Sequence, residues 1–407
     1  MSEHQCVIVG ASHAAAELVV RLRREGWDHG ICVISNEYHL PYHRPPLSKE
    51  FLSGDKNAEQ LLIRPPSAYD KAEVNFVLGT KVSSIDRERQ RVLLEGGDPV
   101  QYKKLVLTTG AHVRKLEIPG ADLPGVLYLR TLSDVNGIRK FIDQSKKVVI
   151  IGGGYIGLET AAVMNKLGLR VTLIEAMDRI LKRVATEHIS AFYTRVHQEE
   201  GIEIVTSTAT SRIEGNTQVE KVVCENGQEF EADLVIVGIG VTPAVELAEQ
   251  AGLKTDNGIL VDEFARTSDP NILAAGDCTR HHNGIYDRYV RLESVQNAVD
   301  QARVAAATIC GTLKPYKSLP WFWSDQYDIK LQIAGLSEGY DQVVVRGDSS
   351  AGRSFSVCYL QEGRLLSLAA INRPQDFMMG KRLILDRLEV DQAMLKDDTL
   401  SLKELLA

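Results

Sequence analysis

The chain has 407 residues, 44% of them apolar and 25% charged, the composition of an ordinary globular protein of two or three domains. A formal net charge of −7 argues against a general nucleic-acid binder, because neutralising phosphates takes a clustered basic excess. No apolar run approaches about 18 residues, and the first strand is expected by Cys6, with no room before it for a charged leader and an apolar signal core. A cytoplasmic protein that does not engage membranes is expected. Six cysteines, Cys6, Cys32, Cys224, Cys278, Cys310 and Cys358, are scattered with no C-x-x-C pair, which speaks against a zinc ribbon and against a dithiol redox centre. Cys278, His281 and His282 lie close together in GDCTRHH. Without a second ligand cluster a structural role outweighs a metal site, and no metal is expected.

The chain begins with a βαβ pattern: the apolar run Cys6-Val7-Ile8-Val9, the turn Gly10-Ala11-Ser12-His13-Ala14-Ala15, a helical pattern of small and apolar residues, and a second β-branched run ending before Glu37. Residues 38–64 are polar and Pro-rich. Strand-like runs follow at 74–78 and 92–94, and residues 105–110, LVLTTG, read as a short buried strand closed by a glycine. From Val148 the βαβ pattern returns as VVIIGGGYIGLETAAVMNKLGLRVTLIEA, and residues 234–240, LVIVGIG, repeat the strand-then-glycine pattern. NILAAGDC, from Asn271, is another buried strand, ending at Gly276-Asp277 and expected to lead into a helix. Residues 294–308 read as an amphipathic helix. Beyond Pro315 to Pro320 the character changes: alternating runs at 330–334, 342–346, 354–360 and 364–370 suggest an antiparallel sheet, with a helical tail from about Phe377. The fold class is therefore α/β, with two Rossmann-like dinucleotide-binding domains and a C-terminal α+β domain.

GGGYIG carries the full phosphate-cradle spacing. Gly152 serves the tight turn, Gly154 the close approach of backbone to a pyrophosphate, and Gly157 the packing of helix on strand, while the helix N-terminus supplies N–H groups. Glu175, at the end of the next strand, would accept hydrogen bonds from a ribose 2′-hydroxyl and repel a 2′-phosphate, which favours NADH, although Arg179 and Arg183 lie nearby. In GASHAA, Ala15 is a tolerated replacement for the third glycine. Ser12 is the departure, because it puts a Cβ where backbone should approach phosphate, and its hydroxyl could donate to a phosphate oxygen in compensation. Two cradles in one chain point to NADH in one and FAD in the other, so that hydride passes from nicotinamide to flavin. Asp277 would then bond a ribityl hydroxyl; otherwise it reads as a helix cap.

GGGYIGLE, PPLSK at residues 45–49, TSDPNILAAGDC at 267–278 and PWFWSDQYDIKLQIAGLSEGYD at 320–341 together resemble the oxygenase-coupled, NADH-dependent ferredoxin reductases. The likeness runs over essentially the whole chain. It implies a glutathione-reductase-like fold in which residues 1–112 and 238–318 hold FAD, 113–237 hold NAD, and 319–407 form the third domain. It implies flavin contacts at Gly10, Ala14, Glu37, Lys49, Val82, Arg130, Asp277 and Val295, and an NADH site along Gly152, Gly154, Gly157, Glu159, Glu175 and Gly240. Lys49 would stand at the reactive edge of the flavin, with Glu159 pairing with it or orienting the nicotinamide amide. Ser12 departs from the family's usual glycine.

With no cysteine pair to receive electrons, a carrier taking one electron at a time fits, and the resemblance implies a 2Fe–2S ferredoxin serving an oxygenase. Trp321 and Trp323 fall on one face of a strand, where tryptophan is ordinarily packing; the resemblance puts this segment beside the flavin at the carrier-docking side, with Trp323, and after it Trp321, as the residues that would line that site. An acidic carrier asks for a basic face despite the net charge, for which Arg64, Arg303 and Lys330 are candidates. Two other acceptor readings stand beside this one: an NADH oxidase or monodehydroascorbate-type reductase, and a redox-sensing flavoprotein resembling apoptosis-inducing factor.

Overall fold

In the computed structural model, which describes residues 6–406, the chain divides into two compact units. The first gathers the chain up to His43 with Glu59–His112 and Thr242–Pro320; the second gathers Arg44–Ala58, Val113–Val241 and the chain from Trp321. Among the described residues no helix is long and apolar enough to cross a membrane.

The first unit is built on a five-stranded parallel sheet in the order Ile272–Ala274, Lys104–Leu107, Cys6–Val9, Ile31–Ile34, Val74–Val77. Its central strands, CVIV and ICVI, are apolar at every position and wholly buried, as a parallel sheet covered on both faces requires. The helix His13–Arg24 follows the first strand, and its small residues Ala14 and Ala15 share a buried cluster with Ala298, Ala302 and Ala305 of the helix Val295–Ile309. Alanine-on-alanine contact lets the two backbones approach closely. The strand at 104 stops at Leu107, short of the expected glycine; just beyond it the Thr108 hydroxyl, with one proton to donate, stands 3.1 and 2.9 Å from the carbonyl oxygens of Val9 and Gly10.

One expectation fails here. Asp277 is followed by a strand, Thr279–Asn283, which runs antiparallel to Arg288–Val290. Gly276 takes φ +92, a turn conformation, and the run after it alternates buried and exposed side chains as a strand does. The helix waits until Val295, where the Ser294 hydroxyl accepts the Asn297 N–H at 3.1 Å.

The second unit repeats the parallel architecture: Glu203–Val205, Arg170–Ile174, Lys147–Ile151, Leu234–Val237, Val126–Tyr128, with the helix Tyr155–Lys166 after the central strand. It also contains the antiparallel sheet Trp321–Gln326, Ile329–Gly335, Arg364–Ile371, Ser354–Gln361, Gln342–Asp348. Glu362 and Gly363 join two of these strands with φ of +51 and +75, the pair of left-handed residues that a tight hairpin needs. The tail helix spans Pro374–Asp386, starting three residues before Phe377 because Pro374 suits a first helical turn. Beneath the sheet Arg346, only 2% exposed, binds Asp376 at 3.3 Å and the carbonyls of Leu395, Asp397 and Leu400, and so fastens the C-terminal segment.

Candidate cofactor-binding site

Both βαβ crossovers turn on a glycine that no other residue could replace. Gly10 sits at φ +106, and a Cβ there would stand 2.3 Å from the Thr108 carbonyl oxygen. Gly152 sits at φ +110, where a Cβ would stand 2.5 Å from the Gly238 oxygen. At the third position a Cβ on Gly157 would meet the Gly152 oxygen at 2.1 Å; Ala15, the corresponding residue in the first unit, is buried beneath its own helix. The middle position is different in kind. Gly154 has φ −79 and open space around a notional Cβ, and Ser12 has φ −131, so neither backbone demands glycine. Only a ligand closing on the loop would restrict this side chain. Neither helix carries an acidic residue in its first turn, as a diphosphate cradle requires. Both turns therefore fit a dinucleotide.

In the first unit Ala14 lies against the glycine of the AAGDC turn: a Cβ on Gly276 would fall 3.7 Å from the Ala14 methyl. Buried Gln301 fixes that turn, accepting the Gly276 N–H and the Thr279 hydroxyl at 2.8 Å each, and thereby sets where Asp277 projects. Glu37 follows the second strand and accepts the Tyr42 hydroxyl at 2.5 Å. Val82 is buried in the strand Val82–Asp86, and Val295 opens its helix. Cys278 donates to the Leu107 carbonyl at 3.6 Å and His281 Nδ1 meets Gln301 at 3.1 Å, so both are engaged in packing.

In the second unit a cleft of about 250 Å³ is lined by Gly152, Glu175, Met177, Arg183, Thr208 and Ile239 among others. The Glu175 carboxylate accepts the N–H of Gly153 at 2.7 Å and of Met177 at 2.8 Å, one on each oxygen, which aims it without exhausting its lone pairs. Arg179 is turned away to the Ala185 carbonyl and the Ser190 hydroxyl, whereas Arg183 stays at the cleft, its guanidinium donating to the Ile239 carbonyl and standing 3.2 Å from the Cβ position of Gly240. The Arg130 carbonyl accepts from Arg44 at 2.9 Å.

Lys49 and Glu159 meet in this unit, Nζ to Oε2 at 2.6 Å, with the glutamate 4% exposed. The same oxygen accepts the Ser48 hydroxyl at 2.6 Å, and Oε1 accepts the Ser324 hydroxyl at 2.7 Å. Behind Ser324, Gln326 donates to its hydroxyl at 3.1 Å and contacts His197 Nε2 at 2.7 Å. Burial pushes the His197 imidazole down to about 4. Ser48, His197, Ser324 and Gln326 went unread in the sequence, although Ser48, Ser324 and Gln326 stand inside PPLSK and WFWSDQ; hydroxyls and amides carry no spacing rule that marks them.

Trp321 and Trp323 do share a face, ring centroids 5.5 Å apart, and Lys381 of the tail helix stands 5.5 Å from the Trp321 ring. Arg64 and Arg303 both bind Glu17, at 2.9 and 2.8 Å, so their charge is partly compensated within the first unit. Lys330 is exposed on its strand.

The family model for pyridine nucleotide-disulphide oxidoreductase matches residues 4–302, and that for the reductase C-terminal domain matches 321–406. The chain is 45% identical to putidaredoxin reductase of Pseudomonas putida, over 98% of its own length and 96% of the relative's. It is 41% identical to the ferredoxin–NAD(+) reductase component of an anthranilate 1,2-dioxygenase system from Burkholderia cepacia, with both chains covered throughout. A crystal structure of a covalent putidaredoxin reductase–putidaredoxin complex superposes with a TM-score of 0.95 at 44% identity, covering 100% of this chain and 99% of that one. The ferredoxin reductase of a Rhodopseudomonas palustris cytochrome system gives 0.95 at 41%, covering 99% and 100%. With two glycine-turned cradles followed by an antiparallel third sheet, the chain belongs to the pyridine nucleotide-disulphide oxidoreductases, in the ferredoxin reductase branch that carries the reductase C-terminal domain.

Proposed function

We propose that this protein is an NADH:ferredoxin oxidoreductase that passes single electrons to a 2Fe–2S ferredoxin serving an oxygenase. The observation that carries the reading is the pair of cradles, turned on Gly10 and Gly152 at φ +106 and +110. We assign FAD to residues 1–112 and 238–318, NADH to 113–237, and the third domain to 319–407. Bound FAD supplies the conversion of one hydride into two separately released electrons. Glu175 holds the NADH ribose and discriminates against a 2′-phosphate, while the paired Lys49 and Glu159 stand at the reacting edge. Trp321, Trp323, Lys330 and Lys381 belong to the docking side.

Thiol chemistry takes no part. All six cysteines are free, and burial raises every one of their pKa values, Cys6 and Cys358 to about 12 and Cys32 to about 11. A cysteine pair takes electrons from flavin as a disulfide and is left as a readily ionised thiol; these unpaired, largely buried thiols favour the opposite. Reduced thiols also accord with a cytoplasmic location.

The test is to mix the FAD-loaded protein with NADH and a 2Fe–2S ferredoxin and to follow the carrier's absorbance. Reduction of the carrier in catalytic turnover is expected. Consumption of oxygen or ascorbyl radical with no ferredoxin reduced would overturn the reading in favour of an oxidase or a monodehydroascorbate-type enzyme.

A further inference from the structure

The hydrogen bonds behind Lys49 run in one direction. Gln326 spends its amide N–H on the Ser324 oxygen, so the Ser324 proton goes to Glu159 Oε1. The Gln326 carbonyl oxygen then faces His197 Nε2 as an acceptor, which requires the imidazole to carry its proton on Nε2. Every donor in the series points toward the glutamate, which ends the chain as an anion taking Ser48, Ser324 and Lys49 at 2.6, 2.7 and 2.6 Å. His197 and Ser324 are fully buried and Gln326 nearly so, where a misplaced proton has no water to take it up.

We propose that His197, Gln326 and Ser324 are positioning residues: a one-way chain of hydrogen-bond donors that keeps the Glu159 carboxylate fixed and thereby holds the Lys49 ammonium where it acts on the flavin. None of the three touches the ammonium. Their effect passes through the carboxylate, whose second oxygen is left to Lys49 and Ser48 because the first is taken by Ser324. The series joins three separate stretches of sequence, the helix Glu187–Glu199, the helix Tyr155–Lys166 and the strand Trp321–Gln326, so the position of Lys49 depends on residues far from it in the chain. The proposal rests on the functional reading above only for what the ammonium acts on.

Three measurements test it. First, 15N spectra of the FAD-loaded protein labelled at histidine should show His197 neutral with its proton on Nε2; the Nδ1 tautomer would reverse the chain and overturn the proposal whatever the protein's activity. Second, Gln326→Leu, which keeps the volume and removes both hydrogen bonds, should lower kcat for NADH-driven dye reduction about tenfold with KM for NADH within about twofold, and should lower the flavin midpoint potential, because a loosened cation stabilises the reduced anion less. Third, Gln326→Glu keeps the shape. Protonated, it donates to Ser324 as glutamine does; ionised, it takes the Ser324 proton away from Glu159. Its turnover should therefore fall as pH rises, a profile absent in Gln326→Leu. The titratable groups around the series are Glu159 and Lys49 at one end and, at the other, Tyr193 and Tyr327, whose rings lie 6.3 and 5.3 Å from His197, with Glu200 acting on His197 and Tyr155 and Asp325 on Tyr193. Variants that fold and keep the wild-type potential and pH profile would overturn the positioning role. Failure of the wild-type protein to oxidise NADH at all would instead strike the functional reading.

Discussion

At the scale of single residues, the two cradles show which glycines are written by the fold and which by the ligand. Gly10 and Gly152 are required by left-handed backbone and by a carbonyl within 2.3 and 2.5 Å of any Cβ. The middle position has extended backbone in both copies, and around Gly154 there is open space, so a serine there costs the empty protein nothing. Ser12→Gly should accordingly leave FAD affinity unchanged or tighten it by less than about tenfold, measured by titrating apoprotein with FAD. Outright loss of FAD would show that the hydroxyl itself is a ligand the cofactor depends on. Sequence reading found the motif glycines because they obey a spacing. It placed Lys49 and Glu159 by resemblance, and it missed Ser48, Ser324, Gln326 and His197 because a buried hydroxyl or amide is recognisable only once its partner is in view.

Among the elements, the inner strands of both parallel sheets were legible as short apolar runs, since burial on both faces removes polar residues from them, whereas the edge strands Glu203–Val205 and Val126–Tyr128, only partly buried, went unread. The segment after Asp277 was misread because Gly276 followed by an acid is equally a strand-to-helix turn and a strand-to-strand turn; alternation in Thr279–Asn283 decides it. The C-terminal segment depends on one guanidinium. Arg346→Ala would strip Asp376 and three carbonyls of a buried donor, and it should destabilise the protein by about 3 to 5 kcal/mol in urea unfolding. Two buried histidines on different elements make stability depend on acid. Burial holds His197 and His281 down to about 4, against 6.5 for an open imidazole. Above 6.5 both folded and unfolded chains leave them neutral; between 6.5 and 4 the unfolded chain binds protons that the folded one refuses. Stability should fall as pH drops through that window, by up to about 1.4 kcal/mol per pH unit for each histidine, and His281→Gln should flatten the slope in urea titrations between pH 7.5 and 4.5.

For the molecule as a whole, charge and connectivity matter most. If the ferredoxin of the proposed function is acidic, a chain of net charge −7 must attract it locally while repelling it overall. Ferredoxin reduction should slow about tenfold as ionic strength rises from about 0.01 to 0.5 M, while NADH oxidation by a small neutral dye stays within about twofold; equal sensitivity in both assays would argue against electrostatic docking. Connectivity has a consequence for how the protein is made. The Glu159 carboxylate is satisfied by Ser48, 111 residues earlier, and by Ser324, 165 residues later. A growing chain presents the first of these before the helix Tyr155–Lys166 leaves the ribosome, and the second only when most of the polypeptide has been synthesised. Until then the second nucleotide-binding sheet can close around a glutamate that still lacks one of its donors. Released chains truncated just before Trp321 should be far more open to protease around that helix than the full chain, so a domain translated later completes the interior of an earlier one.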